Sequence, residues 1–369
     1  MIGRGYIRMM LLGIALLGCS SCRKELCYDH NHSANVSVNV AYNLDWYTHW
    51  EPGVSIDPDW EIEWSVVLPQ EPEGVRLITY PNYEQVAGQT YNLPKYGGKL
   101  NMPVGSHNLM FYNNDTESVL FTGNGEQTKV TTHPRTRASY TKLHPDEVTM
   151  NTPDMLFAAY FRDLQIDEPD ENSYNQIQKN LDVHLSPRVF SYVIRYEVKS
   201  GLEYVEQARG ALSGMSGTVY LANGHTDDDP VTLLFDCYKK EWGCETVIRS
   251  FGVPGIKLYD VQEPKAVESD GNYTGRTNNH LLYDRNEANK VIEVNKKYEH
   301  RLTLEIYLTN GKTKRIELDV TDQVNSQPRG GVIVVSNLII KPDDSDSDGG
   351  FDTSVDGWGD DQIIEVPID

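Results

Sequence analysis

Residues 300–320 read "HRLTLEIYLTNGKTKRIELDV". Leu302, Leu304, Ile306 and Leu308 alternate with other residues up to Asn310-Gly311, and Ile316, Leu318 and Val320 alternate after it. A period of two sends one set of side chains to a buried face and the other set outward. Asn-Gly supplies the positive φ angles that a tight hairpin turn needs. The stretch is therefore a β-hairpin, and the same signature recurs along the chain.

"ANVSVNVAYNLDW" (34–46) alternates without a break, with Val36, Val38, Val40, Tyr42, Leu44 and Trp46 on one face. "EWSVVL" and "VRLITY" read as short strands, broken by Pro69 and Pro72. "GSHNLMFYNN" and "ESVLFTG" read as a pair joined through Asn113, Asn114 and Asp115, and "MLFAAYFRDLQI" closes a first block. Strands this short, with turn residues every ten or so positions, predict a β-sandwich. A polar, acidic stretch at 167–180 predicts a linker. Strands resume at "VFSYVIRYEV", "GTVYLA", "VTLLFDC" and "ETVIRSFGV", and "GVIVVSNLII" reads as a central strand buried on both faces. In "GLEYVEQARGALSGM" the period changes. Leu202, Val205, Ala208 and Leu212 recur at three and four, which predicts one short helix ended by Gly214. The expected architecture is all-β, with sandwiches at 34–166 and 181–342.

Composition agrees. Of 369 residues, 39% are hydrophobic and 22 are Tyr, enough for ordinary cores and rich in strand formers. A formal net charge of -21 argues against nucleic acid, whose phosphates would be repelled. The segment from Asp343 to Asp369 carries nine Asp, one Glu and no Lys or Arg. It is expected to be a solvated acidic tail. Within it, "DQIIEVPI" alternates Ile364, Val366 and Ile368, as a strand donated to an exposed sheet edge would, or the last edge strand of its own domain; the second reading or plain disorder is the default.

The N-terminus is an address. Arg4 and Arg8 precede an apolar run from Met9 to Leu17. That run is shorter than the ~20 residues a membrane helix needs, so a removable signal over 1–18 is expected. It ends Leu16-Leu17-Gly18-Cys19, which resembles the bacterial lipobox and implies a diacylated Cys19 as the new N-terminus. Cys22 is the alternative, with a poorer residue at minus three. Two or more acyl chains hold a protein firmly, since each buried methylene contributes ~0.8 kcal/mol. Residues 19–33 then form a tether. Cys27, Asp29, His30 and His32 match no standard zinc spacing, and the polar tether accounts for them.

Other sites are weighed against plain structural roles. Cys237 and Cys244 flank a short polar loop and face a choice between a hairpin disulfide and two reduced, buried thiols. Asp344, Asp346 and Asp348 with Gly349 fit the start of a calcium loop, but its twelfth position is Val355 where a bidentate Glu is needed. An acidic spacer is the default. Arg135 and Arg137 in "THPRTRASY" are expected in an exposed loop, where they would be a conceivable arginine-specific cut site. Trp46, Trp50, Trp60 and Trp64 either stack on sugars or fill a core. No catalytic motif appears, so no enzyme activity and no cofactor beyond the covalent lipid are expected.

The leader with "SSCRKELCYDHNH", the phrases "LFAAY" and "ARGALSGMSGTVYLANG", and the closing "GGFDTSVDGWGDD" together resemble the fimbrillin-related lipoproteins of Bacteroidales. The resemblance is to the subgroup called domain of unknown function 5119, similar to minor fimbrial anchor proteins. It implies two tandem transthyretin-like β-sandwich domains and an outer-membrane lipid anchor at Cys19. It also implies a role in type V pilus assembly or adhesion, with other pilus subunits as partners through β-strand addition. The rival is a glycan- or host-ligand-binding surface lipoprotein.

Overall fold

A computed structural model describes residues 33–44, 60, 62, 64–81, 87–170, 172–173, 175–257 and 298–341, with the strands at 352–356 and 361–365. In chain order the N-terminal half contains β1 (Ser33–Tyr42), α1 (Trp64–Val67), β2 (Gly74–Pro81), β3 (Thr90–Pro94), β4 (Gly97–Pro103) and β5 (Gly105–Asn113). Then come β6 (Val119–Thr122), β7 (Lys129–Thr132), α2 (Ala138–Thr141), β8 (Thr149–Met150), β9 (Phe157–Ile166) and β10 (Lys179–Pro187). Seven of these strands make one sheet in the order β3-β2-β5-β9-β10-β1-β4. β10 is its corner. It runs parallel to β1 from Lys179 to Leu185, then meets β9 only at Ser186 and Pro187. The sheet folds there and closes on a core of Val36, Val38, Leu77, Leu109, Phe111, Phe157, Leu181 and Val183. The alternation of β1 is realised: Ala34, Val36, Val38 and Val40 point into that core.

The second half contains β11 (Phe190–Ser200), β12 (Val205–Ser216), β13 (Thr218–Tyr220), β14 (Pro230–Lys239) and β15 (Gly243–Ser250). It continues with β16 (Arg301–Leu308), β17 (Thr313–Asp319), α3 (Thr321–Ser326), β18 (Gly331–Ile339), β19 (Asp352–Asp356) and β20 (Asp361–Glu365). Their order is β17-β16-β12-β14-β15-β11-β18-β19-β20. β14 and β15 pair only through Tyr238↔Glu245 and Lys239↔Cys244, so the sheet again folds at one hairpin. Its two halves enclose Tyr192, Ile194, Leu212, Phe235, Leu304, Ile306, Ile316 and Ile333. The Asn-Gly hairpin forms as β16–β17. Gly311 N–H donates to Leu308 O at 2.9 Å, and Leu308 N–H to Lys312 O at 2.9 Å. Only Gly311 takes positive φ (80°), so the loop has three residues and glycine, not asparagine, carries the left-handed conformation.

Four expectations are corrected. The short helix at 201–215 is a 3-10 turn, Leu202–Tyr204, followed by strand β12. Register shifts lie between Val205 and Gln207 and between Leu212 and Met215. Each bulge adds one residue to an alternating pattern. Val205, Ala208, Leu212 and Met215 thus share a face at helix-like spacing while the backbone is extended. "EWSVVL" is the converse case. It makes the helical turn α1, which puts Trp64, Val67 and Leu68 on one side and leaves Val66 43% exposed.

β5 and β6 do not pair. β5 lies between β2 and β9. Asn113 ties the departing chain down, with Nδ2 donating to Asp115 and Met155 O, and Oδ1 accepting from Phe157 N–H at 2.7 Å. Finally, the sheets do not part at 167–180, because β10 beyond that stretch is a strand of the first sheet. A small third sheet, β13-β7-β6, joins the halves. The acidic tail also contributes two strands: β19 pairs with β18 at Val335↔Val355 and Ser336↔Ser354, and β20 with β19.

Candidate functional site

Among the described residues, buried arginines cluster where the two sandwiches grip each other. Two segments of the N-terminal half reach across and lie on the outer faces of the second sheet.

The first clasp is Trp60, Ile62 and α1. It packs on Val193, Val332 and Val334, the outward row of β11 and β18. Arg195 pins it. Its guanidinium stacks 3.7 Å from the Trp242 ring and 4.4 Å from the Trp60 ring. It also donates to Glu245 at 3.0 Å, and both charges are nearly buried, at 5% and 7% exposure. A desolvated cation between two indoles gains about 2 kcal/mol from each ring. Glu245 supplies the counter-charge that a buried cation needs. Trp60 and Trp64 therefore serve packing rather than an open sugar platform; Trp46 and Trp50 lie outside the described residues.

The second clasp is 134–150, laid across β12, β14, β16 and β17. Arg135 Nη1 donates to Leu234 O at 2.9 Å, and Arg137 donates to Gly210 O at 3.1 Å and Phe235 O at 2.8 Å. Burial pushes the Arg137 guanidinium pKa down, and the nearby Glu305 charge opposes that. Tyr140 packs against Ala211 and Leu234 and donates to Glu147 at 2.7 Å. Glu147 also bonds Arg301, and His144 Nε2 lies 2.9 Å from Glu317. Burial raises the Glu147 pKa, but bonds from Thr232 and Tyr140 and the Arg301 charge outweigh it and hold the carboxyl below the usual range. β8 completes the clasp by pairing in parallel with β14. The expected exposed cut site at Arg135 and Arg137 is thus a correction. Arg137 is 9% exposed, and its side chain is consumed by carbonyls of the partner sheet.

Between the clasps, β7 and β13 pair over three positions. Arg188, in the link between β10 and β11, is 5% exposed. It donates to Leu221 O at 2.8 Å, Ala222 O at 3.2 Å, Ser186 O at 3.3 Å and Pro187 O at 3.4 Å. Neither Arg188 nor Arg195 stood out in the sequence. Each is a lone cation among apolar residues, which is the only local signal either gives.

Cys237 and Cys244 are free thiols in one core. The register sets Cys244 opposite Lys239, which leaves Cys237 on the diagonal. Burial raises both pKa values, that of Cys244 to about 11, so neither is a ready thiolate. Cys19, Cys22, Asp344, Asp346 and Asp348 lie outside the described residues. Open edges among the described strands include β3, β4, β6 and β17. β6 displays Leu120 and Phe121, each 37% exposed.

Folded double sheets clasped into one body define a β-sandwich protein. Residues 53–236 match the family model described as "Domain of unknown function (DUF5119)". It is 23% identical over 333 residues to the "Putative fimbrium anchoring subunit Fim4B" of Bacteroides ovatus, covering 84% of this chain and 89% of that one. Among solved structures, it superposes on one titled a "putative adhesin" from Bacteroides ovatus with a TM-score of 0.52 and 20% identity, covering 85% and 91% of the two chains. The fimbrial anchor protein Mfa2 from Porphyromonas gingivalis aligns at a TM-score of 0.38 and 10% identity, over 85% and 94%.

Proposed function

We propose that this chain is a lipid-anchored anchor or accessory subunit of a type V pilus, acting in assembly and adhesion at the outer membrane and without catalysis. The observation that carries this reading is the similarity to the fimbrium anchoring subunit, which extends over both sandwiches and nearly the whole of either chain. In this reading the sandwiches are transthyretin-like domains. Lipid on Cys19, or on Cys22 as the alternative, is the only non-protein group. Other pilus subunits add strands at open sheet edges.

The geometry suits a load-bearing role. β1 begins at Ser33, the last residue of the expected tether 19–33. It is held on both flanks, by seven registered positions of β10 and seven of β4. A pull along β1 therefore shears two ladders together instead of unzipping one. The clasps then pass the load to the second sandwich.

The test is in cells that make the pilus. Mass spectrometry of the membrane-extracted protein is expected to find acylated Cys19 at the N-terminus. Cys19→Ala is expected to release the protein and its fimbriae to the medium. An unmodified N-terminus elsewhere, with fimbriae retained in the variant, would overturn the proposal.

A further inference from the structure

β18 runs parallel to β11 and uses one of its edges for that pairing. Its other edge would offer Val332, Val334 and Ser336, whose backbone groups alternate outward. An open row of this kind is a template for any extended chain.

Two glutamines occupy it. Gln323 belongs to α3, and Gln327 follows directly; they are 3% and 0% exposed. Gln323 Nε2 donates to Val334 O at 3.1 Å, and its Oε1 accepts from Val334 N–H at 3.0 Å. Gln327 Nε2 donates to Val332 O at 2.9 Å, and its Oε1 accepts from Val332 N–H at 2.6 Å. A side-chain amide carries one carbonyl and one N–H₂, so each glutamine reproduces the bonds of one residue in a neighbouring strand. The pair is held in turn. Gln327 Nε2 donates to Gln323 O, and Tyr192 OH donates to Gln327 O at 2.8 Å. Gly331 makes room: a Cβ there would stand 1.8 Å from Gln327 Oε1. The next outward position, Ser336, pairs instead with Ser354 of β19.

We propose that Gln323 and Gln327 form a side-chain strand that seals the edge of β18, so that strand addition to β18 starts at Ser336 and cannot extend to Val332. The device closes that part of the edge to a second copy of this chain and sets the register of whatever pairs beyond it. It is a property of the edge and goes beyond the proposed pilus role.

Amide hydrogen exchange on the full chain tests it. Ser354→Pro removes an N–H from β19. The Ser336 amide is then expected to exchange more than about tenfold faster, while Val332 and Val334 stay protected. Gln323→Leu with Gln327→Leu is expected to accelerate Val332 and Val334 and to make the chain self-associate, read by light scattering. Should that double variant not fold, Gly331→Ala displaces Gln327 alone, and Val332 is expected to accelerate without Val334. Joint acceleration of all three amides in Ser354→Pro overturns the proposal. So does persistent protection of Val332 in Gly331→Ala.

Discussion

His300 is 1% exposed just before β16, with Nδ1 3.3 Å from Ser213 O. Burial pushes its pKa from 6.5 down to about 4. The folded value lies below the unfolded one, so the unfolded chain takes up the proton first as pH falls. Stability that is full above the unfolded pKa therefore declines as pH drops toward 4, by about 3 kcal/mol from this group. Glu147 and Glu305 have lowered pKa values. Their contribution is present above the unfolded carboxylate value and is lost only at more acidic pH. Urea unfolding at several pH values between 7 and 4.5 is expected to show the decline in the native chain and a flatter line in His300→Gln. Equal slopes would remove His300 from this role. Arg188 makes a second residue-scale claim. Arg188→Met keeps the stem but strips the donors from four carbonyls, and about 3 kcal/mol is expected to be lost in thermal or urea unfolding. Arg188→Lys restores only part, since one ammonium cannot fork to both Leu221 and Ala222.

At the scale of elements, β12 shows how tightly the second sandwich is fitted. Gly210 lies under the Phe235 ring of β14, where a Cβ would come within 1.9 Å of Cε2. Gly210→Ala is expected to destabilise by about 2 kcal/mol through overpacking. Phe235→Leu in the same chain then relieves part of the clash, and a double-mutant cycle reads that coupling. Additive losses would mean the ring simply moves aside. Much of this level was legible from residues alone. β1 and the hairpin at 301–319 alternate because each buries one face, and that signal is local. β12 was misread because two bulges convert alternation into spacings of three and four. "EWSVVL" was misread because it packs on an apolar surface from another part of the chain. A strand with one wet face announces itself; a segment whose partner is distant does not.

On the scale of the whole molecule, the clasps decide whether the chain behaves as two bodies or one. Nothing in "THPRTRASY" shows that its arginines will bind carbonyls roughly a hundred residues away, so this site lay beyond sequence reasoning. The contacts are mostly polar, with Arg137 and Tyr140 buried and the surrounding ion pairs of Glu147, Arg301 and Glu317 half-buried. Glu305, in the face beneath the second clasp, is 2% exposed. Removing one partner there leaves buried groups unpaired, at about 2 kcal/mol for each charged bond. The native chain is expected to unfold in one calorimetric transition, with hydrogen exchange of peptides covering β5 and β16 collapsing together. Arg137→Ala combined with Glu147→Ala loosens the second clasp without touching either sandwich core. Two transitions are then expected, with β16 losing protection before β5 because its outer face has lost its cover. Lys240→Ala, at the far hairpin, is expected to change neither. A double variant that still melts as one body would show that the first clasp, β7–β13 and Arg188 together suffice to couple the halves. The load path from β1 to the second sandwich would then run through those contacts instead of the second clasp.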